Sequence, residues 1–232
     1  MDFAVRSTQP EELDDETTDP AIYQRCVTEL AVINRVTLTH RPTLHWLAAA
    51  TRALPVGATF SVLEVGYGGG DLSRAIARWA DRRGLKAQIS GVDLNPRSAV
   101  VARAATPPGM TIDYQTADVF GYTPAEPVDF IVSSHLTHHM SDREVVEFLI
   151  WLDANSVYGW HIADLHRHAL PYRSFPVLCR LMGWHRIIRS DGMISIARSF
   201  RRREWQAYLD KAGVQAKISW HMAFRFCVSR VK

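Results

Sequence analysis

Three histidines, His135, His138 and His139, fall within the run SSHLTHHM, residues 133–140, and one aspartate, Asp164, ends the run WHIAD. Imidazole titrates near neutrality, so a histidine at the mouth of a sheet can take the proton of a phenol or an alcohol. A carboxylate at the end of a strand is out of place in an apolar core, which favours a working role for Asp164. Each histidine also has a plainer reading as a cap or packing residue in a loop. His161, inside the apolar run that ends at Asp164, reads as a satisfied buried histidine. His166 and His168 follow in DLHRH, and histidine–carboxylate sets of this kind do bind zinc or iron.

A second constellation lies upstream. The apolar run Ser61–Val65 ends in Gly66, Gly68, Gly69 and Gly70, after which a helical pattern begins. Glycines at a strand-to-helix turn allow positive φ and let a ligand lie directly on the backbone. The next strand, Ala87–Val92, closes on Asp93, whose carboxylate can accept both hydroxyls of a ribose. Together these features imply a nucleoside cofactor. A dinucleotide fingerprint would need glycine where Asp71 stands, and a phosphate-binding P-loop would need a Gly-Lys-Ser/Thr ending. Glu64 sits two residues before Gly66, where it could meet a cationic group. Glu64 and Asp71 would repel a pyrophosphate but not an ammonium or a sulfonium. After the third strand, Asp118 in TADVF could accept an adenine amino group with Val119 covering the ring, or could simply cap a turn.

VLEVGYGGG resembles motif I of the class I S-adenosylmethionine-dependent methyltransferases, and GVDLNP resembles the ribose-binding motif that follows it. The resemblance spans residues 40–232, with motifs specific up to Asp164 and looser beyond. It implies S-adenosyl-L-methionine as cofactor and S-adenosyl-L-homocysteine as product. The cofactor would be held by Glu64, Gly66, Gly68, Gly69, Asp93, Leu94, Asp118, Val119, Ser134 and His135. The HHM run followed by IAD resembles natural-product O-methyltransferases, which implies His138 and Asp164 flanking an acceptor hydroxyl, with His139 beside them. WHIADLHRHALPY resembles a bacterial subgroup encoded beside polyketide-forming enzymes. That implies a phenolic or polyketide-type small-molecule acceptor, with His166, Tyr172 and Phe175 as substrate residues. Metal-dependent relatives present paired acids and an asparagine, absent from this segment, so no metal is expected. SSHL stands where adenine-methylating enzymes carry an Asn-Pro-Pro-Tyr-like tetrapeptide, so nucleic acid is not an expected partner. Rival readings are C-methylation of a quinone or polyketide ring, a non-methylating cyclase or scaffold, and RNA methylation.

The elements that must position these residues follow from the pattern along the chain. Strands are expected at 59–65, 87–93, 110–115, 128–134 and 158–164, with helices at 71–83, 96–105 and 141–155 between them. Such alternation predicts a doubly wound, mostly parallel α/β sheet. Lys217–Met222 and Arg225–Val231 read as an antiparallel C-terminal hairpin after a helix at Arg202–Ala212. Helices from Pro20 to Arg35 and from Pro42 to Leu54 form an N-terminal helical lid over 20–55, and residues 166–200 read as a helical cap insertion. The expected layout is an acidic disordered tail, 1–19, and one methyltransferase domain, 20–232.

Bulk charge selects no partner, with 27 basic against 24 acidic side chains. Arginines cluster between His166 and Trp205 as a solvated face, an acid-recognising patch or a nucleic-acid surface. The apolar neighbours of Tyr172 and Phe175 favour a substrate-covering helix. Three scattered cysteines form no metal spacing or disulfide framework, and no run suits membrane insertion, which fits a cytoplasmic chain. A homo-oligomer is left open.

Overall fold

The computed structural model describes residues 3–232. Among these, seven strands form one sheet: β1 Thr59–Val65, β2 Lys86–Asp93, β3 Ile112–Thr116, β4 Val128–Ser134, β5 Ser156–Leu165, β6 Lys217–His221 and β7 Arg225–Val231. Their order is β3-β2-β1-β4-β5-β7-β6. Strands β1 to β5 run parallel, and β7 enters antiparallel between β5 and β6. The chain winds outward in opposite directions from β1 and β4, so the crevice at their carboxyl ends is where such a sheet receives a ligand.

Eight helices are described: α1 Pro20–Val36, α2 Arg41–Ala50, α3 Asp71–Arg82, α4 Pro96–Ala105, α5 Asp142–Asn155, α6 Ala169–Met182, α7 Arg186–Arg198 and α8 Arg202–Ala212. One core joins Leu47 of α2 and Leu72, Ile76 and Trp79 of α3 to Phe60, Val62, Ile89 and Phe130 of the sheet. Another joins Val145, Phe148, Leu149 and Leu152 of α5 and Trp205 and Leu209 of α8 to Leu63, Ile131, Trp160 and Val228. With both faces covered, β1 and β4 are buried along most of their length. Each fully buried Phe or Leu contributes about 1.5–3 kcal/mol to holding these layers together.

Local signals set the helix starts. Asp19 accepts from Ala21 and Ile22 N–H ahead of Pro20, Asn95 accepts from Arg97 N–H ahead of Pro96, and Ser141 with Glu144 forms a capping box on α5. Helix α2 ends at Ala50 instead of Leu54. Thr51 turns its hydroxyl back to the Leu47 carbonyl at 2.7 Å and closes the last turn. No helix among the described residues is long and apolar enough to cross a membrane.

The tail expected to be disordered is described from residue 3 onward; residues 1 and 2 lie outside the described residues. Residues 3–19 run across the body as a strap. Glu12–Asp14 forms a 3-10 turn whose Glu12 and Leu13 N–H groups donate to the Asp191 carboxylate at 3.0 and 2.9 Å. Arg97 donates to the carbonyls of Leu13, Asp15 and Thr18, and Arg186 forks onto Glu12. Buried Arg167 donates to the Phe3 carbonyl and pairs with Glu204. Of the strap's acids, Glu12 answers an arginine of the 166–205 stretch, Arg186, while Glu11 and Asp14 face His138 and His139.

Candidate active site

The glycine loop between β1 and α3 bends through three left-handed residues, Gly66 (φ 74°), Gly68 (φ 49°) and Gly70 (φ 71°). A Cβ on Gly68 would meet nothing within 4 Å, so that backbone is open to a ligand. Gly69 is the opposite case, because a Cβ there would lie 2.7 Å from Val27 Cγ1 on α1. Asp93 Oδ2 accepts from Gly68 N–H at 2.8 Å and Oδ1 from Asn95 N–H at 2.9 Å. The loop therefore fixes the carboxylate expected to face a ribose, and burial pushes its pKa up. Leu94, beside it, is 72 % exposed.

Two other expected cofactor residues are differently disposed. Glu64 does not face a cationic ligand. Its fully buried carboxyl accepts from the Ser73 hydroxyl in the first turn of α3, and burial raises its pKa to about 8. Val119 is buried within the core on the α5 side of the sheet instead of standing open to cover a ring. Asp118 is exposed and caps the short turn Val119–Gly121, its Oδ1 accepting from Phe120 N–H at 3.0 Å. Ser134 ends β4 half-buried.

At the mouth of β4 the backbone turns sharply. His135 adopts φ 55° and donates its N–H to the Ala163 carbonyl at 2.9 Å. Burial and nearby Arg225 lower its pKa to about 3, so the ring is neutral. Among the described residues, the buried atoms His135 Nε2, Ser133 Oγ and His40 Nδ1 have no hydrogen-bond partner. Unpaired polar atoms at the ends of β4 and against Asp71 of α3, which accepts from His40 at 2.8 Å, mark a place built to meet a polar ligand. With the open Gly68 backbone and Asp93, they fit a nucleoside cofactor that carries an amino-acid arm.

The 3-10 turn Thr137–His139 follows. Asp164, fully buried in β5, accepts from the Thr137 hydroxyl, from His138 N–H at 2.9 Å and from His138 Nδ1 at 2.7 Å. The opposite ring nitrogen, His138 Nε2, lies 3.5 Å from Glu11 Oε1 of the strap. Burial works against charge on His138, yet the two carboxylates overcome it and raise its pKa to about 10. Asp164 is held well below the usual carboxylate range for the converse reason, His138 outweighing the cost of burial. His138, expected to accept the hydroxyl proton, is thus bound up in this geometry. With the strap in place both nitrogens face carboxylates, and the neutral imidazole at this mouth is His135. His139 lies beside His138, ring centroids 4.4 Å apart, with Nδ1 3.0 Å from Asp14 Oδ2 and Nε2 3.8 Å from Glu11 Oε1.

Two arginines hold the turn from below. Arg198 donates to the carbonyls of His138 and His139, both at 3.0 Å, and Arg6 donates to that of Met140 at 2.9 Å and pairs with Asp142 at 2.7 Å. Buried Arg225, at the β7 position opposite Leu165, donates to Thr37 and Thr39 in the α1–α2 turn. Sequence reasoning missed Glu11, Arg6 and Arg225. Their only signal was charge, read as solvated in the first two cases and lost within a strand pattern in the third.

The expected substrate residues do not join this turn. His166 accepts from Trp220 Nε1 at 3.3 Å and packs on Phe226, on the hairpin side. Tyr172 packs edge-on against Phe3 of the strap at 5.3 Å. Phe175 lies against Gly192 of α7, within the cluster of Cys26, Cys179 and Ile188 that joins α6 and α7 to α1. The aromatic side chains of 166–200 thus glue helices together. His161 is buried with Thr43 Oγ1 3.3 Å from its Nδ1.

Residues 62–152 match a family described as "Methyltransferase domain". No curated protein sequence matches the chain. Among solved structures it is similar to the magnesium protoporphyrin IX methyltransferase of Synechocystis PCC 6803 with bound SAH. That pair shares 16% identity at a TM-score of 0.56, over 84% of this chain and 83% of that one. It is also similar to a SAM-dependent methyltransferase of Aquifex aeolicus, at 16% identity and TM-score 0.62, over 92% and 98% of the two chains. A pericyclic reaction enzyme matches at 15% identity and TM-score 0.57, over 80% of this chain and 47% of its own. At these identities the likeness is one of fold.

Proposed function

We propose that this chain is a class I methyltransferase, as its sheet order and its domain match support, and that it transfers a methyl group from S-adenosylmethionine to a hydroxyl of a small phenolic or polyketide-type molecule. The observation that carries the reading is the pairing of two strand ends. Asp93 and the open Gly68 backbone stand at β1 and β2, and a buried carboxylate–imidazole turn stands at β4 and β5.

S-Adenosylmethionine supplies a sulfonium-bound methyl group that an oxygen can displace in line. The residues of the chain supply position and dryness. Asp93 would hold the ribose, and the buried N-terminal end of α3 would leave the arm little freedom. The acceptor hydroxyl would sit between the histidine turn and the crevice. His135 Nε2, neutral and unpartnered, is placed to accept a hydrogen bond from that hydroxyl and so orient it, while Asp164 keeps the turn rigid through Thr137 and His138.

Titration calorimetry with S-adenosylhomocysteine tests the cofactor half. Wild type should bind in the micromolar range. Asp93→Ala, which removes a charged acceptor, should weaken binding by at least about tenfold, near 1.4 kcal/mol. An unchanged Kd would mean the ribose is held elsewhere. Turnover of hydroxylated acceptors with NMR of the product then separates O-methyl from C-methyl transfer. Tight binding with no methyl transfer to any acceptor would favour the non-methylating reading, for which the fold has a precedent in the pericyclic enzyme.

A further inference from the structure

We propose that Glu11, His138 and His139 form a binding site for a divalent transition-metal ion of the zinc class. Their ligand atoms lie within 4.8 Å of one another, and Glu11 Oε1 stands 3.5 Å from His138 Nε2 and 3.8 Å from His139 Nε2. An ion bonded at about 2.0–2.2 Å to each of three such atoms holds them about 3.3 Å apart, so the two distances from Glu11 need only a small contraction to close on it.

The outer shell points the same way. A histidine that binds metal through one nitrogen almost always donates its other N–H to a carboxylate or a carbonyl. Here both do, His138 Nδ1 to Asp164 at 2.7 Å and His139 Nδ1 to Asp14 at 3.0 Å. Each bond fixes the tautomer whose Nε2 lone pair faces Glu11. The carboxylate is oriented in turn, since Ser195 Oγ donates to Glu11 Oε1 at 2.8 Å. Two imidazoles and one carboxylate suit zinc, cobalt or ferrous iron, with positions left over for oxygen ligands.

Burial sets where those positions open. His138 is buried and Glu11 nearly so, but His139 is 29% exposed, so the ion would be reached from its side. A metal there could hold the acceptor's oxygen. That further step rests on the methyl-transfer reading, whereas binding of the ion itself does not. The competing account is a closed ion pair, protonated His138 between Asp164 and Glu11, with no ion taken up. The absence of paired acids and an asparagine, which argued against metal in the sequence, describes another ligand set and does not bear on this one.

The test uses the full chain without a histidine tag, stripped with chelator, then titrated with Co2+ while visible d–d absorption is recorded, and with Zn2+ in competition. One equivalent should bind, with bands of four- or five-coordinate cobalt that zinc abolishes. Glu11→Gln and His139→Ala should each weaken binding by more than tenfold, and Asp14→Asn by about tenfold through the outer shell. Circular dichroism confirms that each variant is folded. His168→Ala, which breaks a neighbouring histidine pair with rings 5.3 Å apart, should change nothing. Absence of binding by wild type, binding that survives His139→Ala unchanged, or binding lost with His168→Ala would each overturn the proposal. None of these outcomes depends on methyl transfer.

Discussion

Replacing Asp164 with asparagine keeps the shape of the side chain and removes its charge. Asp164 is fully buried, and three of its contacts belong to the histidine turn: Thr137 Oγ1, His138 N–H and His138 Nδ1. An asparagine can still accept two of them, but its amide cannot neutralise the imidazole. Hydrogen bonds to a charged group are worth about 1.5–3 kcal/mol each. Breaking a buried pair by removing one partner costs about 3–5 kcal/mol, because the other charge is left uncompensated. For a chain of this length each kcal/mol moves Tm by about 2–4 °C, so the variant should melt roughly 6–20 °C below wild type. Urea unfolding at pH 7, in chelator and followed by two probes, measures the loss directly. Adding His138→Gln to Asp164→Asn should cost much less than the sum of the two single changes, since the imidazolium, left with Glu11 alone at 3.5 Å, is then gone. A single-variant loss below about 1 kcal/mol would refute the claim that this carboxylate anchors the turn.

Two other perturbations follow from the geometry. Burial raises the folded pKa of Glu64 to about 8 from the ordinary glutamate value of 4.5, so the fold prefers the protonated form. That contribution to stability is complete below pH 4.5 and is lost as pH rises through 8. Glu64→Gln should therefore remove a downward slope in unfolding free energy across this window and should exceed wild type by up to about 5 kcal/mol near pH 9. Parallel pH profiles of the two proteins would show the carboxyl to be ionised within the fold. Gly69→Ala places a methyl group 2.7 Å from Val27 Cγ1 and should cost about 1–3 kcal/mol in urea unfolding, with most of it recovered by adding Val27→Ala. Failure of that rescue would mean that the strain arises elsewhere.

The sheet was legible because its signals are local. Period, caps and glycine turns place β4 at residues 128–134 and α4 at 96–105 as expected, and Asp93 and Asp164 at strand ends. The approach of Asp164 to His138 followed from adjacent parallel strands. What could not be read were side-chain partners set by distant packing. Glu64 shares its strand end with the glycine loop, yet whether it turns to the crevice or to Ser73 is decided by how α3 seats. The strap looked unstructured because its composition is polar. Its order comes from partners such as Asp191 and His139, the latter 125 residues from Asp14, which no window along the chain contains. Tyr172 and Phe175 were expected to cover a substrate, but the faces they pack on belong to the strap and to α7.

Helix α1 rests on the glycine loop through Val27, is tied to α4 by the 2.9 Å contact of Tyr23 with Ser98, and holds Asp71 through Asn34 at 3.0 Å. A molecule seated on that loop would be enclosed by the same contacts that hold the helix down. Entry and departure would then share one barrier, the lifting of α1, and successive cycles would be timed by that release more than by the bond exchange. Pre-steady-state mixing would show it as a fast first turnover followed by a slower steady phase, and loosening Tyr23 or Asn34 would quicken the second phase without touching the first.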